Sequence, residues 1–257
     1  MILHETELGE GDPIVLLHGL FGSARNFGAI QKILAAQYRV IALDLRNHGA
    51  SPHAPVTGYG AMAADVLATL AALNARPALL VGHSMGGKVA MRAALDRPDA
   101  VTALVVADIA PVPYPPHLRP VAAALAGLDL SPGLTRATAD ANLSSAVPDG
   151  GMRGFLLQNL TVGAHPAWRI GLAGIVAGMP DIEAWPATDQ TYSGPTLFIG
   201  GERSDYIRQE HRPAIRRLFP HARFVTLKDA GHWLHADNPA GFIAILQGFF
   251  AAIRPAC

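Results

Sequence analysis

Short apolar runs alternate with helical periodicities along the first hundred residues. Residues 13–18 (PIVLLH) are too short for a buried helix and rich in branched side chains, which predicts a buried strand ending at Gly19. From Asn26 to Gln37 the apolar positions Phe27, Ile30, Ile33 and Leu34 recur at helical spacing, and 38–43 (YRVIAL) reads as a second strand. After a polar loop over 44–57 the pattern repeats as helix 60–74, strand 77–82, helix 85–96 and strand 101–107. Parallel neighbours need crossover connections, so this alternation predicts an α/β fold: a mostly parallel sheet with helices on both faces.

The alternation stops at 109–116 (IAPVPYPP), where four prolines in six residues forbid a central strand or a helix interior. From about 117 to 190 the segments that pattern at all are helical, interrupted at Pro132, Pro148, Pro166 and Pro180. Strand 195–200, helix 205–218, strand 222–227 and helix 238–252 then complete the chain. The expected organisation is a core formed by 1–112 and 191–257, with 113–190 inserted as a helical cap.

Composition narrows the class. Twenty basic residues balance twenty acidic ones, and no Lys/Arg run is long enough to follow a nucleic-acid backbone. The start carries acids (Glu5, Glu7) where a secretory signal carries bases, and no apolar stretch of about 18 residues follows. A soluble, cytoplasmic protein without a membrane span is expected. The only cysteine is Cys257, so an intrachain disulfide is excluded and a Cys/His zinc cluster lacks ligands. No metal or other cofactor is implied, and nothing indicates the oligomeric state.

The chemistry-bearing motif is Gly82-His83-Ser84-Met85-Gly86, between the strand residues 78–81 and a helix beginning near Met85. A serine on a strained strand-to-helix turn needs small neighbours two positions either side, because the two backbones approach closely there. Its hydroxyl requires a base. Of 11 histidines, His232 follows a strand and precedes the last helix, in a loop that a doubly wound sheet brings to the same crevice. The Met85 amide, at a helix N-terminus, and the Leu20 amide, in the Gly-rich turn after the first long strand, are the expected oxyanion donors. His83 reads as a packing neighbour of the nucleophile.

The segments HGLFGS (18–23), DLRNHG (44–49), GHSMGGKVAM (82–91), DIAPV (108–112), FIGGERSDY (198–206) and AGHWLHAD (230–237) resemble the α/β-hydrolase superfamily, and within it the YbfF-type serine esterases and their mitochondrial relatives. The resemblance spans nearly all of the sheet domain; the insertion matches in position and helical character only. It implies an α/β-hydrolase fold and a cofactor-free esterase or thioesterase acting on small acyl substrates.

Two aspartates compete for the acid that orients the base. Aligned on Gly201-Glu202, the position usual in the superfamily falls on Ser204, which carries no charge, and Asp205 stands one residue further on. The YbfF-type branch resembles this chain in having an aspartate at the end of the strand after the elbow helix, here Asp108. A carboxylate closing an apolar strand is costly to bury unless something pairs with it, and an imidazole N–H would do so. Asp108 is the first choice, Asp205 and then Glu202 the alternatives, with Ser204 a hydrogen-bonding neighbour.

Other residues carry less. Arg46 is expected to pair with Asp44 or an incoming carboxylate, and Lys88 to be solvated or structural. Phe155, Leu156, Leu160 and Trp168 are expected either in the core or along an acyl pocket, and Trp233 beside either. The expected reaction is hydrolysis of carboxylic esters or thioesters of short to medium acyl chains through an acyl-enzyme. The same triad used for C–C bond hydrolysis, perhydrolysis or a lyase step, or a non-catalytic ligand-binding role, are the alternatives, since fold and triad do not fix the reaction.

Overall fold

The computed structural model describes residues 1–253. Cys257 lies outside them. The central sheet has seven strands: β1 (Glu5–Leu8), β2 (Pro13–Leu17), β3 (Arg39–Leu43), β4 (Ala78–His83), β5 (Val101–Ala107), β8 (Thr196–Gly201) and β9 (Ala222–Leu227). Their spatial order is β1-β3-β2-β4-β5-β8-β9, with β1 antiparallel on the edge and every other pairing parallel. The edge strand β1 has no counterpart in the expected strands: it is only four residues long and mostly exposed, so its apolar signal is weak.

The sheet forms because its inner strands are apolar on both sides. Along β2, Ile14 and Leu16 enter one core layer while Val15 and Leu17 enter the other, all fully buried. Each such side chain contributes about 1.5–3 kcal/mol of burial. The helices α1 (Gly28–Leu34) and α10 (Pro239–Ile253) contribute to one layer, and α2 (Tyr59–Ala72), α3 (Met85–Asp96) and α8 (Arg212–Leu218) to the other. The chain passes from β2 to β3 on one side and returns to β4 on the other. Leu20 and Ser84 therefore follow adjacent strands that flank the reversal of strand order, where parallel sheets open a crevice.

Between β5 and β8 lie α4 (Arg119–Ala126), α5 (Arg136–Leu143), α6 (Gly150–Leu157), a two-stranded antiparallel ribbon of β6 (Leu160–Thr161) and β7 (Ala167–Trp168), and α7 (Leu172–Glu183). Two expectations are corrected here. The insertion is not purely helical, because Thr161 and Trp168 pair across the ribbon's short turn with their neighbours Ala167 and Leu160. Pro180 does not interrupt a helix but lies inside α7, near its C-terminal end. The insertion is tied to the core by Tyr59 Oη–H donating to Ile182 O (2.5 Å) and Thr57 Oγ1–H donating to Gly174 O (2.8 Å).

The expected helix over 205–218 is also shortened: residues 205–208 form a loop, followed by a single 3-10 turn (Gln209–His211) and α8. A further short helix, α9 (Leu234–Asp237), follows His232. No helix among the described residues is long and apolar enough to cross a membrane.

Candidate active site

Ser84 joins β4 to α3 with φ 52° and ψ −121°, a left-handed-side conformation that costs energy for any side chain with a Cβ. Its neighbours make the turn sterically possible. A Cβ on Gly82 would overlap the Gly86 carbonyl, and one on Gly86 would overlap the Leu17 carbonyl. The turn is pinned by Ser84 N–H donating to Ala107 O (2.9 Å), which registers the elbow against the end of β5.

The next residue after β5 is Asp108, fully buried and itself at φ 53°. Its Oδ1 accepts from Gly201 N–H (3.0 Å), and its Oδ2 accepts from the Ser204 hydroxyl and from His232 Nδ1–H (2.7 Å). A carboxylate only accepts, so Nδ1 carries the proton and Nε2 presents its lone pair to the Ser84 hydroxyl at 3.0 Å. Three chain segments separated by up to 148 positions thus form one hydrogen-bonded line, Asp108 to His232 to Ser84. Such a line is able to draw the hydroxyl proton onto the imidazole as the oxygen forms a bond, while the buried carboxylate stabilises the imidazolium.

Asp205 is exposed and makes no hydrogen bond to the imidazole; Glu202 instead accepts from Asp229 N–H (3.0 Å). Ser204 does contact the site, through Asp108. Leu20 and Met85 border the same small cavity as Ser84, and neither backbone N–H has a hydrogen-bond partner among the described residues.

Several neighbours hold this arrangement, of which the sequence singled out only His83. The Tyr206 ring stacks on His232, with centroids 4.0 Å apart and planes at 21°, and its hydroxyl bonds to His117 Nε2 (2.7 Å). His83 is buried and donates Nε2–H to His232 O (2.7 Å), fixing the loop backbone; burial, then the neighbouring imidazoles, keep it neutral far below the ordinary histidine range. His18 and His48 brace the Leu20 turn. His18 Nδ1–H donates to Gly19 O (2.8 Å) while Nε2 accepts from Leu45 N–H (3.0 Å). His48 Nδ1–H donates to Arg46 O (2.9 Å) while Nε2 accepts from Phe21 N–H (3.1 Å). Each accepts a bond that an imidazolium cannot, and burial lowers both pKa values, that of His48 to about 3. From the insertion, Asn159 Nδ2–H donates to Phe21 O (2.7 Å). The available signal was positional: histidines closing strands, in HG and NHG turns.

One expected pairing changes, and one open alternative is resolved to the structural side. Arg46 pairs with neither Asp44 nor an open crevice; its Nε–H donates to Asp65 Oδ2 (2.7 Å), and Asp44 instead accepts from Ala24 N–H (2.7 Å) and Ala50 N–H (2.8 Å). Lys88 is not solvated. It is 1% exposed, its Nζ donates to Ala184 O (2.7 Å) and Glu183 O (3.4 Å), and burial pushes its pKa down to about 7.

Two cavities meet at Ser84. The larger, about 770 Å³, is walled by Phe27, Val121, Val147, Met152, Phe155 and Trp233 and reaches His232. Of the four insertion residues considered for an acyl pocket, only Phe155 lines it, its ring 5.5 Å from that of Trp233. Leu156 and Leu160 are fully buried in the core, and Trp168 packs against that core with Nε1–H donating to Leu125 O (3.2 Å). The smaller cavity, about 50 Å³, runs past Leu20 and Met85 to Lys88 and Glu183.

The elbow, the crevice at the strand-order reversal and the sheet around them are those of an α/β-hydrolase, and the alpha/beta hydrolase fold family model matches residues 12–239. The chain belongs to that family. The sn-1-specific diacylglycerol lipase ABHD11 of Mus musculus is 44% identical over 247 residues, covering 93% of this chain and 80% of that protein. The esterase YbfF of Escherichia coli is 37% identical over 243 residues, covering 92% of each. A solved marine microorganism esterase superposes with a TM-score of 0.93 at 37% identity, covering 96% of this chain and 99% of the other. With these relatives and this fold, the chain is a carboxylic ester hydrolase.

Proposed function

We propose that the protein hydrolyses carboxylic esters or thioesters of short to medium acyl chains through an acyl-enzyme on Ser84. His232 takes the Ser84 proton as Oγ attacks the carbonyl, and Asp108 holds the imidazole in the Nδ1–H tautomer. The carbonyl oxygen, negative in the tetrahedral intermediate, is held by the Leu20 and Met85 amides. His232 then passes its proton to the leaving alcohol or thiol, and afterwards activates the water that releases the acid. The observation that carries this reading is the continuous hydrogen-bonded line from the buried Asp108 through His232 to Ser84. Further support comes from the esterase and lipase names of the relatives and from the apolar lining of the larger cavity, suited to a hydrocarbon chain. The helical insertion, which contributes Phe155 and Met152 to that lining, acts as a cap over the site.

The test is intact-protein mass spectrometry after a fluorophosphonate probe, together with hydrolysis of p-nitrophenyl butyrate. One adduct on the peptide containing Ser84, and loss of both labelling and turnover in Ser84→Ala, are expected. Turnover that survives Ser84→Ala refutes the assignment.

A further inference from the structure

The mechanism proposed above leaves Lys88 and Glu183 without a task, although both line the small cavity that opens at Ser84. Burying a lysine and a carboxylate oxygen without full compensation is costly, which makes the pair informative. Lys88 Nζ lies between the rings of Tyr59 and Tyr114, 5.3 and 5.0 Å from their centroids. In the ammonium form it has three N–H groups. Two are directed to the carbonyls of Ala184 and Glu183, and the third has no partner among the described residues. Glu183 is engaged on one side only: Oε2 accepts from Arg119 Nε–H (2.8 Å), whereas Oε1 is buried without a hydrogen-bond partner among the described residues. The two side chains do not form a salt bridge with each other.

We propose that this cavity is a subsite for a short, hydroxyl-bearing arm of the ester, with the hydroxyl accepting from Lys88 Nζ and donating to Glu183 Oε1. The inference rests on Ser84 being the nucleophile. A hydroxyl is the small group that satisfies both walls at once. A carboxylate would be repelled by Glu183 and an ammonium by Lys88, while a methyl group would leave both polar atoms unpaired. The size agrees. A cavity of about 50 Å³ holds roughly four water-sized positions, room for an arm of about three or four heavy atoms. The long hydrocarbon part of the substrate occupies the larger cavity on the other side of Ser84.

The hydroxyl has two sources, the acyl arm or the alcohol arm, and matched esters separate them. Ethyl 3-hydroxybutyrate against ethyl butyrate places it on the acyl side; 2-hydroxyethyl butyrate against propyl butyrate places it on the alcohol side. In the wild-type enzyme one of the two pairs is expected to favour the hydroxylated ester in kcat/KM by about tenfold or more, the size of a hydrogen bond to a charged group. That ratio is expected to fall to about one in Lys88→Met and to drop in Glu183→Met. Wild-type ratios at or below one for both pairs overturn the proposal, whether or not the variants fold. So does a preference that persists undiminished in both folded variants. Ratios near one with Ser84-dependent turnover of the parent esters overturn the subsite alone, whereas turnover surviving Ser84→Ala overturns the mechanism beneath it.

Discussion

Replacing Asp108 by asparagine keeps the shape of the side chain and removes its charge and one of its acceptor oxygens. Three donors converge on the carboxylate: the Gly201 amide at Oδ1, and the Ser204 hydroxyl and His232 Nδ1–H at Oδ2. An asparagine amide presents –NH₂ to at least one of them, so either a donor faces a donor or the imidazole turns to the other tautomer and loses its lone pair toward Ser84. In the transition state the loss is larger, because His232 becomes an imidazolium. A carboxylate 2.7 Å from Nδ1 in a site with an effective dielectric near 20 is worth roughly 4–6 kcal/mol to that cation. At about 1.4 kcal/mol per decade, kcat/KM for p-nitrophenyl butyrate should fall about 10³- to 10⁴-fold. Asp205→Asn, at an exposed residue without a bond to the ring, should change it less than about threefold. Thermal unfolding of both variants checks that the loss is chemical. A fall of less than tenfold in Asp108→Asn, or a larger one in Asp205→Asn, refutes the reasoning.

Gly86→Ala should destabilise the fold by about 3 kcal/mol or more, because the added methyl meets the Leu17 carbonyl and neither β2 nor α3 has room to move; the melting temperature should fall by roughly 6–12 °C. An unchanged melting temperature would show that the elbow is not held as tightly as described. Tyr206→Leu removes the ring stacked on His232 and the bond to His117, and should lower kcat about tenfold while leaving fluorophosphonate labelling confined to Ser84. Equal kcat would mean that the ring does not position the base. Acid stability follows from three buried imidazoles, His18, His48 and His83, and the half-buried His235, all lowered by desolvation, His48 to about 3 and His235 to about 4. Below about pH 6.5 the unfolded chain takes up protons that the folded one refuses, so stability is full above that pH and falls as pH drops toward the folded values. Each contributes up to about 1.4 kcal/mol per pH unit, and urea midpoints that stay level from pH 7 to pH 5 would contradict this.

Much of this was legible in the chain because it depends on short-range patterns. Runs such as ALLV before Ser84 and VTALVVA before Asp108 are apolar on both faces, and a strand buried on both sides cannot hide that. The elbow was legible for a steric reason local to five residues. The edge strand β1 was not, since its side chains are mostly exposed; nor was the loop at 205–208, whose Tyr206 and Ile207 pack against the core without forming a helix. The ribbon between α6 and α7 escaped notice because two-residue strands carry no periodicity.

The sequence by itself determined the alternating sheet, the place of the insertion, the serine on its strained turn and a histidine in a loop at the same end of the sheet. Only the tertiary structure decided what meets that histidine. Asp108 and Asp205 are equivalent as residue types, and nothing within either segment says which reaches the ring. Parallel pairing of β5 between β4 and β8 sets Asp108 beside Gly201 and Ser204 and under His232, while Asp205 turns to solvent. The same holds for Lys88, which helix position alone leaves undetermined and whose buried amine is held by the carbonyls of Glu183 and Ala184, nearly a hundred residues away, at the wall of the cavity that Ser84 also lines. Long-range hydrogen bonds and burial are properties of the folded arrangement, and a pattern read along the chain contains neither.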